Sequence, residues 1–302
     1  ALKKALDADP TAFNGTPLTK NGTQATATVN ELGYYFVTST SGALCNLTTT
    51  DPNAKIYDKT DVPFEKTVDK PSADVGQNVT FTIKGKVPDY TGFDKYTYLI
   101  TDKMSDGLTF NRDSLTVKVG ETTVTDGCPV TYDPAIDSQT FTVSIPVKDN
   151  NYDIGAKIEV TYTATLNEKA IAVISTNEAK LSYSNDPTTD KVEGSRTDKK
   201  EVYTSKIVID KVEKTTDGTD GKKLPDAKFV LYKEVTPEGA TEATKVYYKQ
   251  DDTTKAVTWV DSITNATEVT TGNHGEAFFE GLADGTYYLV ETKAPAGYNQ
   301  LT

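Results

Sequence analysis

Two lysines stand at strand positions whose neighbours on the same face are apolar. In the alternating pattern of a strand, Lys66 lies on the same face as Phe64 and Val68, and Lys211 lies on the same face as Ile209. An ammonium group on the core face of a strand costs several kcal/mol unless it is paired or neutral. Taken alone, either position is explained by a lysine at a strand end whose ammonium group reaches solvent. Because a lysine stands on an apolar strand face twice in this chain, the sequence favours a shared chemical role for the two lysines.

The region around each lysine also contains an acidic residue that the strand alternation places on an inward-facing side. Asp102 shares a strand face with Ile100, and Glu291 shares one with Leu289. Near the end of the middle region, Asn177 lies on the apolar face of a third strand. These positions allow a lysine, an acid and an asparagine to meet in one core.

This trio of residue types has a specific chemistry. Burial lowers the pKa of a lysine and raises that of a carboxyl, so the stable pair is a neutral amine beside a protonated acid. The acid can polarise the carboxamide oxygen while the amine attacks the carbonyl carbon and ammonia leaves. The product is an intramolecular Lys–Asn isopeptide bond, which cross-links distant strands as a disulfide does.

The composition narrows the class of protein. The 302 residues carry a net charge of −12 with a pI near 4.7, so nucleic acid and anionic membranes are poor partners. Threonine, valine and tyrosine are abundant, which favours strands. There is one histidine, and no nucleophile elbow, phosphate loop or His-based triad appears. We therefore expect no enzyme, no cofactor and no metal site.

Two cysteines, Cys45 and Cys128, lie far apart without a CxxC partner, so zinc binding is not supported. They form either one disulfide or two buried thiols. No apolar run reaches the length of a membrane span, and we expect no membrane contact in this chain. Ala1 to Leu6 resembles the end of a helix already under way, so we expect a fragment of a longer protein.

Three regions are predicted, and the fold class is all-β. Residues 1–58 are predicted to be the C-terminal part of an α+β domain, with a strand pair at 31–37 and 43–47. Residues 59–203 show short alternating strands between turns, typical of a β-sandwich. The polar stretch 180–203 is predicted to be a linker or an edge hairpin. Residues 204–302 form a third, β-rich domain with a long Thr-rich excursion.

The chain resembles the backbone subunit (major pilin) of a sortase-assembled Gram-positive pilus. The third region is similar to a collagen-adhesin B-type, transthyretin-like repeat through Leu224-Pro-Asp-Ala-Lys-Phe229 and Tyr288-Leu-Val-Glu-Thr-Lys-Ala-Pro-Ala-Gly-Tyr298. This resemblance implies that Lys211 is an isopeptide amine and Glu291 its catalytic acid. The family places the partner asparagine on a later strand, so we expect residues 204–302 to lack their last strand.

The second region is similar to the immunoglobulin-like pilin domain that carries its own isopeptide bond. The resemblance rests on Phe64-Glu-Lys-Thr-Val68, Ile100-Thr-Asp-Lys-Met104 and Asn177-Glu-Ala-Lys-Leu-Ser-Tyr183. It implies that Lys66 is the amine, Asp102 the promoting acid and Asn177 the carboxamide. Asn185, which faces the same way on the strand, is the alternative carboxamide.

Lys59 is the remaining candidate for covalent chemistry. The family carries a polymerising lysine in a Tyr-Pro-Lys motif before the second domain, and Tyr57-Asp-Lys59 matches it apart from Asp58. The implied function is a shaft subunit of a cell wall-anchored, extracellular pilus, joined by sortase to identical subunits. The alternatives are a solvated lysine at position 59 and an adhesin of related build that binds a host matrix or mucosal ligand.

Overall fold

The computed structural model of the chain describes Asp9 and residues 15–21, 24–37, 43–47, 62–132, 140–171, 173–185 and 192–300. The helical start predicted at residues 1–6 and the candidate Lys59 lie outside these residues. The first described strands are two antiparallel pairs. They are β1 (Thr19–Asn21) with β2 (Gln24–Thr26), and β3 (Gly33–Val37) with β4 (Ala43–Leu47). The second pair is the strand pair that the sequence predicted.

The middle of the chain forms two five-stranded antiparallel sheets. Their strands are β5 (Phe64–Val68), β6 (Asn78–Lys86), β7 (Tyr98–Met104), β8 (Leu108–Val119), β9 (Thr122–Thr123), β10 (Val130–Tyr132), β11 (Thr140–Ser144), β12 (Lys157–Leu166), β13 (Ser175–Ser184) and β14 (Val192–Val202), with 3-10 helices at Thr125–Gly127 and Glu168–Ala170. One sheet has the order β5-β6-β12-β8-β9 and the other β10-β11-β7-β13-β14. The sheets face each other across a single core, as the sequence pattern predicted.

Strict alternation places one face of each long strand in this core. In β12, for example, every second residue from Ile158 to Leu166 is buried. The centre is aromatic: the Tyr162 ring stacks on Phe81 at 5.7 Å and meets the edges of Phe110 and Phe141 at 5.6 and 5.0 Å. These rings fix the position of the Tyr162 side chain before any polar contact is considered.

The polar stretch at residues 180–203 is an edge hairpin rather than a linker. Strand β14 pairs antiparallel with β13 along almost its whole length, from Ser175 opposite Val202 to Ser184 opposite Val192. The exposed side chains along β14 include Arg196, Lys199 and Glu201, which suits an edge strand because charge there discourages pairing with other chains.

The last third of the chain builds a separate, smaller core. Its strands are β15 (Ser205–Asp210), β16 (Val212–Lys214), β17 (Asp220–Lys223), β18 (Lys228–Val235), β19 (Thr244–Gln250), β20 (Val257–Val260), β21 (Val269–Thr270), β22 (Glu276–Leu282) and β23 (Tyr288–Lys293), with a 3-10 helix at Ile263–Asn265. β18 is central and pairs with β19, β21 and β23, while β15 pairs with β22. Phe229, Tyr248 and Phe279 are among the buried residues of this core.

The Thr-rich excursion of the third region folds largely into strands. It holds β19, β20 and β21, and its Val246, Tyr248 and Val257 are buried. Threonine is β-branched and fits a pleated, half-exposed surface, so a Thr-rich stretch can be sheet as readily as loop.

The loop between β5 and β6 packs into this last part of the chain. Asp74 is 1% exposed and accepts hydrogen bonds from Trp259 Nε1 at 2.8 Å and from the Ala283 amide at 2.6 Å. Its neighbour Val75 continues the contact, because it donates to the Gly281 carbonyl at 2.8 Å and accepts from the Val257 amide at 2.7 Å. A buried carboxylate that accepts two N–H groups therefore joins the sandwich to the following strands.

We expect Asp74→Ala to destabilise residues 205–300 by about 2 kcal/mol, because the indole and amide N–H groups of the joint would lose a charged acceptor. Trp259 is the single tryptophan of the chain, so its fluorescence during urea unfolding reports directly on this joint. Asp113→Ala, at an exposed position of β8, is the matched control and should leave the transition unchanged. Equal midpoints for the two variants would show that Asp74 is dispensable.

Candidate functional site

Four polar side chains meet in the core of the sandwich, and all four are fully buried. Lys66 and Tyr162 come from β5 and β12 of one sheet, and Asp102 and Asn177 come from β7 and β13 of the other. Each has 0% exposure. We call these four residues the core cluster. It spans the gap between the two sheets.

The strand registers explain why these side chains converge. Asp102 lies opposite Ala179 in the β7–β13 ladder, so Asn177 is its diagonal neighbour on the same face. On the other sheet, Lys66 enters the core from the edge strand β5. Its backbone amide donates to Asp198 Oδ2 on β14 at 2.7 Å, which holds the two sheet edges together beside the cluster.

The tyrosine hydroxyl is the hydrogen-bonding centre of the cluster. Lys66 Nζ lies 2.5 Å from Tyr162 Oη, and Asn177 Nδ2 donates to the same oxygen at 3.0 Å. Lys66 Nζ also contacts Asp102 Oδ2 directly. By ordinary hydrogen-bond geometry, the buried oxygens Asp102 Oδ1 and Asn177 Oδ1 have no partner among the described residues. A proton on Asp102 would supply a donor for the carboxamide oxygen.

The electrostatics of the cluster favour neutral side chains. Burial lowers the pKa of the Lys66 amine, and the nearby Asp102 carboxyl opposes this shift. Burial raises the pKa of Asp102, again against the opposing effect of Lys66. Burial also raises the pKa of Tyr162 well above its ordinary value, and the Asp102 carboxyl adds to the effect. An unprotonated amine next to a protonated acid is the arrangement that amide exchange requires.

The other two candidates of the middle region have different positions. Asn185, the alternative carboxamide, is exposed at the end of β13 and lies outside the core cluster. The structure therefore brings Lys66 and Asp102 together with Asn177 and not with Asn185. Lys59 lies outside the described residues.

The second lysine and acid also meet, in the smaller core. Lys211 Nζ lies 2.9 Å from Glu291 Oε1, and the two side chains are 14% and 1% exposed. Glu291 lies on β23 opposite Phe229, and the Lys211 amine lies 5.8 Å from the centre of that ring. Asn299 is exposed. The structure thus pairs the predicted amine with the predicted acid.

Within the described residues, no cluster of three or more His, Cys, Asp or Glu side chains could hold a metal. Nor does any helix in that part of the chain have the length and apolar character of a membrane span. Cys128 is a free, buried thiol, and burial raises its pKa to about 11. This agrees with the buried-thiol alternative for Cys128, while the Cys45 side chain lies outside what the structure describes.

Tyr162 is the member of the cluster that the sequence analysis missed. The alternation of β12 shows that Tyr162 faces inward, but aromatic residues at such positions are usually plain core. Only the meeting of two sheets places its hydroxyl between the amine and the carboxamide. A tyrosine at the centre of an inward-facing strand is a weak signal by itself.

Two family models match the chain. The Gram-positive pilin backbone subunit 2, Cna-B-like domain matches residues 75–187, and the SpaA prealbumin-like fold domain matches residues 205–302. The first range contains Asp102, Tyr162 and Asn177, and the second contains Lys211 and Glu291. Lys66 lies just before the first range.

Individual relatives and solved structures agree with these matches. The trypsin-resistant surface T6 protein of Streptococcus pyogenes serotype M6 is 28% identical over 258 residues, which cover 77% of this chain and 41% of that protein. The chain thus spans less than half the length of this relative. The crystal structure of the group B streptococcus pilus 2b backbone protein is 30% identical with a TM-score of 0.61, and the match covers 78% of this chain and 86% of that one.

A third similarity concerns the fold alone. The pilus backbone protein RrgB of Streptococcus pneumoniae has a TM-score of 0.59 at 16% identity, and the match covers 80% of this chain and 91% of that structure. The two proteins therefore share the tandem β-sandwich fold although few of their residues are identical.

The buried pair predicts opposite pH dependences for two single variants. The Asn177→Ala protein keeps the Lys66–Asp102 pair but cannot form a bond to residue 177. This pair binds one proton in the folded state and one in the unfolded state, so it gives the free energy of unfolding no pH dependence near neutrality. Lys66→Met leaves Asp102 with a raised pKa, so the folded state binds more protons and stability falls above about pH 4. Asp102→Asn leaves Lys66 with a lowered pKa, so stability rises with pH towards about 10.4.

Urea unfolding of the three proteins across this pH range measures these slopes, which reach at most about 1.4 kcal/mol per pH unit for one group. The Asn177→Ala protein is the control, and its curve should lie between the other two. Slopes of the same sign in the Lys66→Met and Asp102→Asn proteins would contradict the opposite, burial-driven pKa shifts of Asp102 and Lys66.

Proposed function

This chain belongs to the backbone subunits of Gram-positive pili, and we propose that it is a shaft subunit stiffened by autocatalytic Lys–Asn isopeptide bonds and polymerised by sortase. The observation that carries the proposal is the fully buried core cluster between the two sheets. Lys66, Asp102 and Asn177 bring an amine, an acid and a carboxamide together where water is excluded. This set of groups is suited to forming one amide bond.

The reaction follows from the protonation states. The uncharged Lys66 amine attacks Asn177 Cγ while the protonated Asp102 carboxyl donates a hydrogen bond to Asn177 Oδ1, where negative charge develops. The C–N bond to Nδ2 breaks, and this nitrogen leaves as ammonia. Because the amine and the carboxamide are consumed, the chain acts once on itself and is not an enzyme.

The bond would stabilise the domain mechanically and thermodynamically. It would tie the edge strand β5 of one sheet to β13 of the other and close a loop of about 110 residues. By loop-closure entropy, a cross-link of this span contributes about 4 to 5 kcal/mol. A subunit that bears tension along a fibre gains from such a link between its first and its penultimate long strand.

We extend the proposal to the division of the chain into domains. Residues 1–58 are proposed as the C-terminal part of an N-terminal pilin domain, 59–203 as the isopeptide-forming sandwich, and 204–302 as the collagen-adhesin B-type domain. In this last domain, Lys211 and Glu291 are proposed as amine and promoting acid, with the carboxamide on a strand beyond these residues. Their 2.9 Å contact supports these roles.

Lys59 is proposed as the residue that sortase joins to the next identical subunit, in a pilus anchored to the cell wall. The Tyr57-Asp-Lys59 sequence and its place just before the sandwich support this role. Membership of the backbone family favours a shaft subunit over the alternative, an adhesin that binds a host matrix ligand.

Intact-mass spectrometry tests the cross-link. The purified chain should weigh about 17 Da less than its sequence predicts for each ammonia lost. Lys66→Ala and Asn177→Ala should each restore 17 Da, because each removes one reacting group. Asn185→Ala is the matched control and should keep the loss. A wild-type chain at its full calculated mass would refute the bond.

The polymerisation role of Lys59 is tested in cells that carry the cognate sortase. Lys59→Arg should abolish the ladder of covalent polymers on denaturing gels, because the guanidinium group is not a nucleophile at neutral pH. Lys55→Arg, four residues earlier, controls for the loss of a nearby lysine. A normal ladder from the Lys59→Arg subunit would move the role to another lysine.

A further inference from the structure

The Tyr162 hydroxyl contacts both nitrogens of the proposed reaction. It lies 2.5 Å from Lys66 Nζ, which forms the new bond, and 3.0 Å from Asn177 Nδ2, which leaves. The Asp102 carboxyl contacts the amine through Oδ2 and also interacts with the Tyr162 hydroxyl and the Asn177 carboxamide. Tyr162 therefore has hydrogen bonds to both nitrogens, and the carboxyl of Asp102 lies beside the same groups.

The proton balance of the reaction gives such a contact a chemical role. A neutral amine loses one proton when it becomes an amide nitrogen, and a carboxamide nitrogen must gain one proton to leave as ammonia. The net change is the transfer of one proton from Nζ to Nδ2. Water is excluded from the cluster, whose members are all fully buried, so a side chain must carry this proton.

We propose that Tyr162 is a catalytic residue that relays this proton, accepting it from Lys66 Nζ and giving its own phenolic proton to Asn177 Nδ2. This proposal rests on the isopeptide function proposed above. Before attack, Nδ2 donates to Oη. After attack, Nδ2 is tetrahedral and has a lone pair, so the direction of this hydrogen bond reverses and Oη donates. Asp102 lends its proton to Oδ1 and recovers it when the carbonyl re-forms, so both promoters end unchanged.

The surroundings of Tyr162 suit a relay. The ring is held by Phe81, Phe110 and Phe141, with centroid distances of 5.0 to 5.7 Å, so the hydroxyl cannot swing away from the two nitrogens. Burial raises the pKa of the phenol, which keeps its proton available at neutral pH. A positioned acid–base group that moves a proton in the transition state typically contributes about 10² to 10⁴ in rate.

The test is the rate of ammonia loss in the complete chain. Protein is made by cell-free synthesis, translation is stopped, and samples are quenched in acid and weighed, so that the fraction lacking about 17 Da is followed in time. Tyr162→Phe removes only the hydroxyl and should slow the reaction by about 100-fold or more. Tyr98→Phe is the matched control, because Tyr98 is also buried and its hydroxyl has no partner among the described residues. It should react at the wild-type rate.

A second variant separates relay from packing. A fluorinated tyrosine at position 162 keeps the hydroxyl and the fold while it makes the phenol more acidic, so a relay predicts a changed rate and a structural role does not. If wild type loses ammonia and the Tyr162→Phe protein matches its rate within about two-fold, the relay is wrong while the isopeptide function stands. If Tyr162→Phe does not fold, an unchanged rate in the fluorinated protein overturns the relay instead. If wild type never loses ammonia, the proposed function itself fails.

Discussion

The core of the sandwich holds the amine of Lys66 beside the carboxyl of Asp102, with both groups fully removed from water. An isolated charge in a protein core costs far more than the few kcal/mol by which a domain is stable. Lys66 and Asp102 meet this constraint by sharing one proton and by contacting each other at full burial. The same burial that makes the pair costly makes its neutral form reactive. In this protein, the least favourable element of the core is the one that would carry the proposed isopeptide chemistry.

The sandwich around the cluster is arranged so that a single bond would join its two layers. Lys66 belongs to one sheet and Asn177 to the other, and the edge strands β5 and β14 are already linked through the Lys66 amide and Asp198. The aromatic rings that surround Tyr162 exclude water and leave the polar atoms little freedom. Rigid packing of this kind brings reacting groups into contact before reaction, and effective concentrations are correspondingly high.

A second constraint acts at the joint between the sandwich and the following strands. Asp74 is buried, yet it accepts from Trp259 and from the Ala283 amide in the last third of the chain. Gly76, in the same loop, has φ of +90° and a Cβ there would lie 2.8 Å from Ala256 Cβ, so only glycine allows the close approach. This loop gives the joint a defined geometry through hydrogen bonds and close backbone contact.

The all-β class, the inward faces of the strands and the candidate lysines, acids and asparagine could all be predicted from the amino-acid sequence. The period of two decides which side chains face a core, and a charged residue on an apolar face is visible without coordinates. Other features depend on how the strands assemble, which periodicity does not describe. Sheet pairing made residues 180–203 an edge hairpin, placed Asn177 and not Asn185 beside Asp102, and set the Tyr162 hydroxyl between Lys66 Nζ and Asn177 Nδ2. These outcomes depend on which strands become neighbours and in what register, and contacts between residues about 100 positions apart are not encoded in any local pattern.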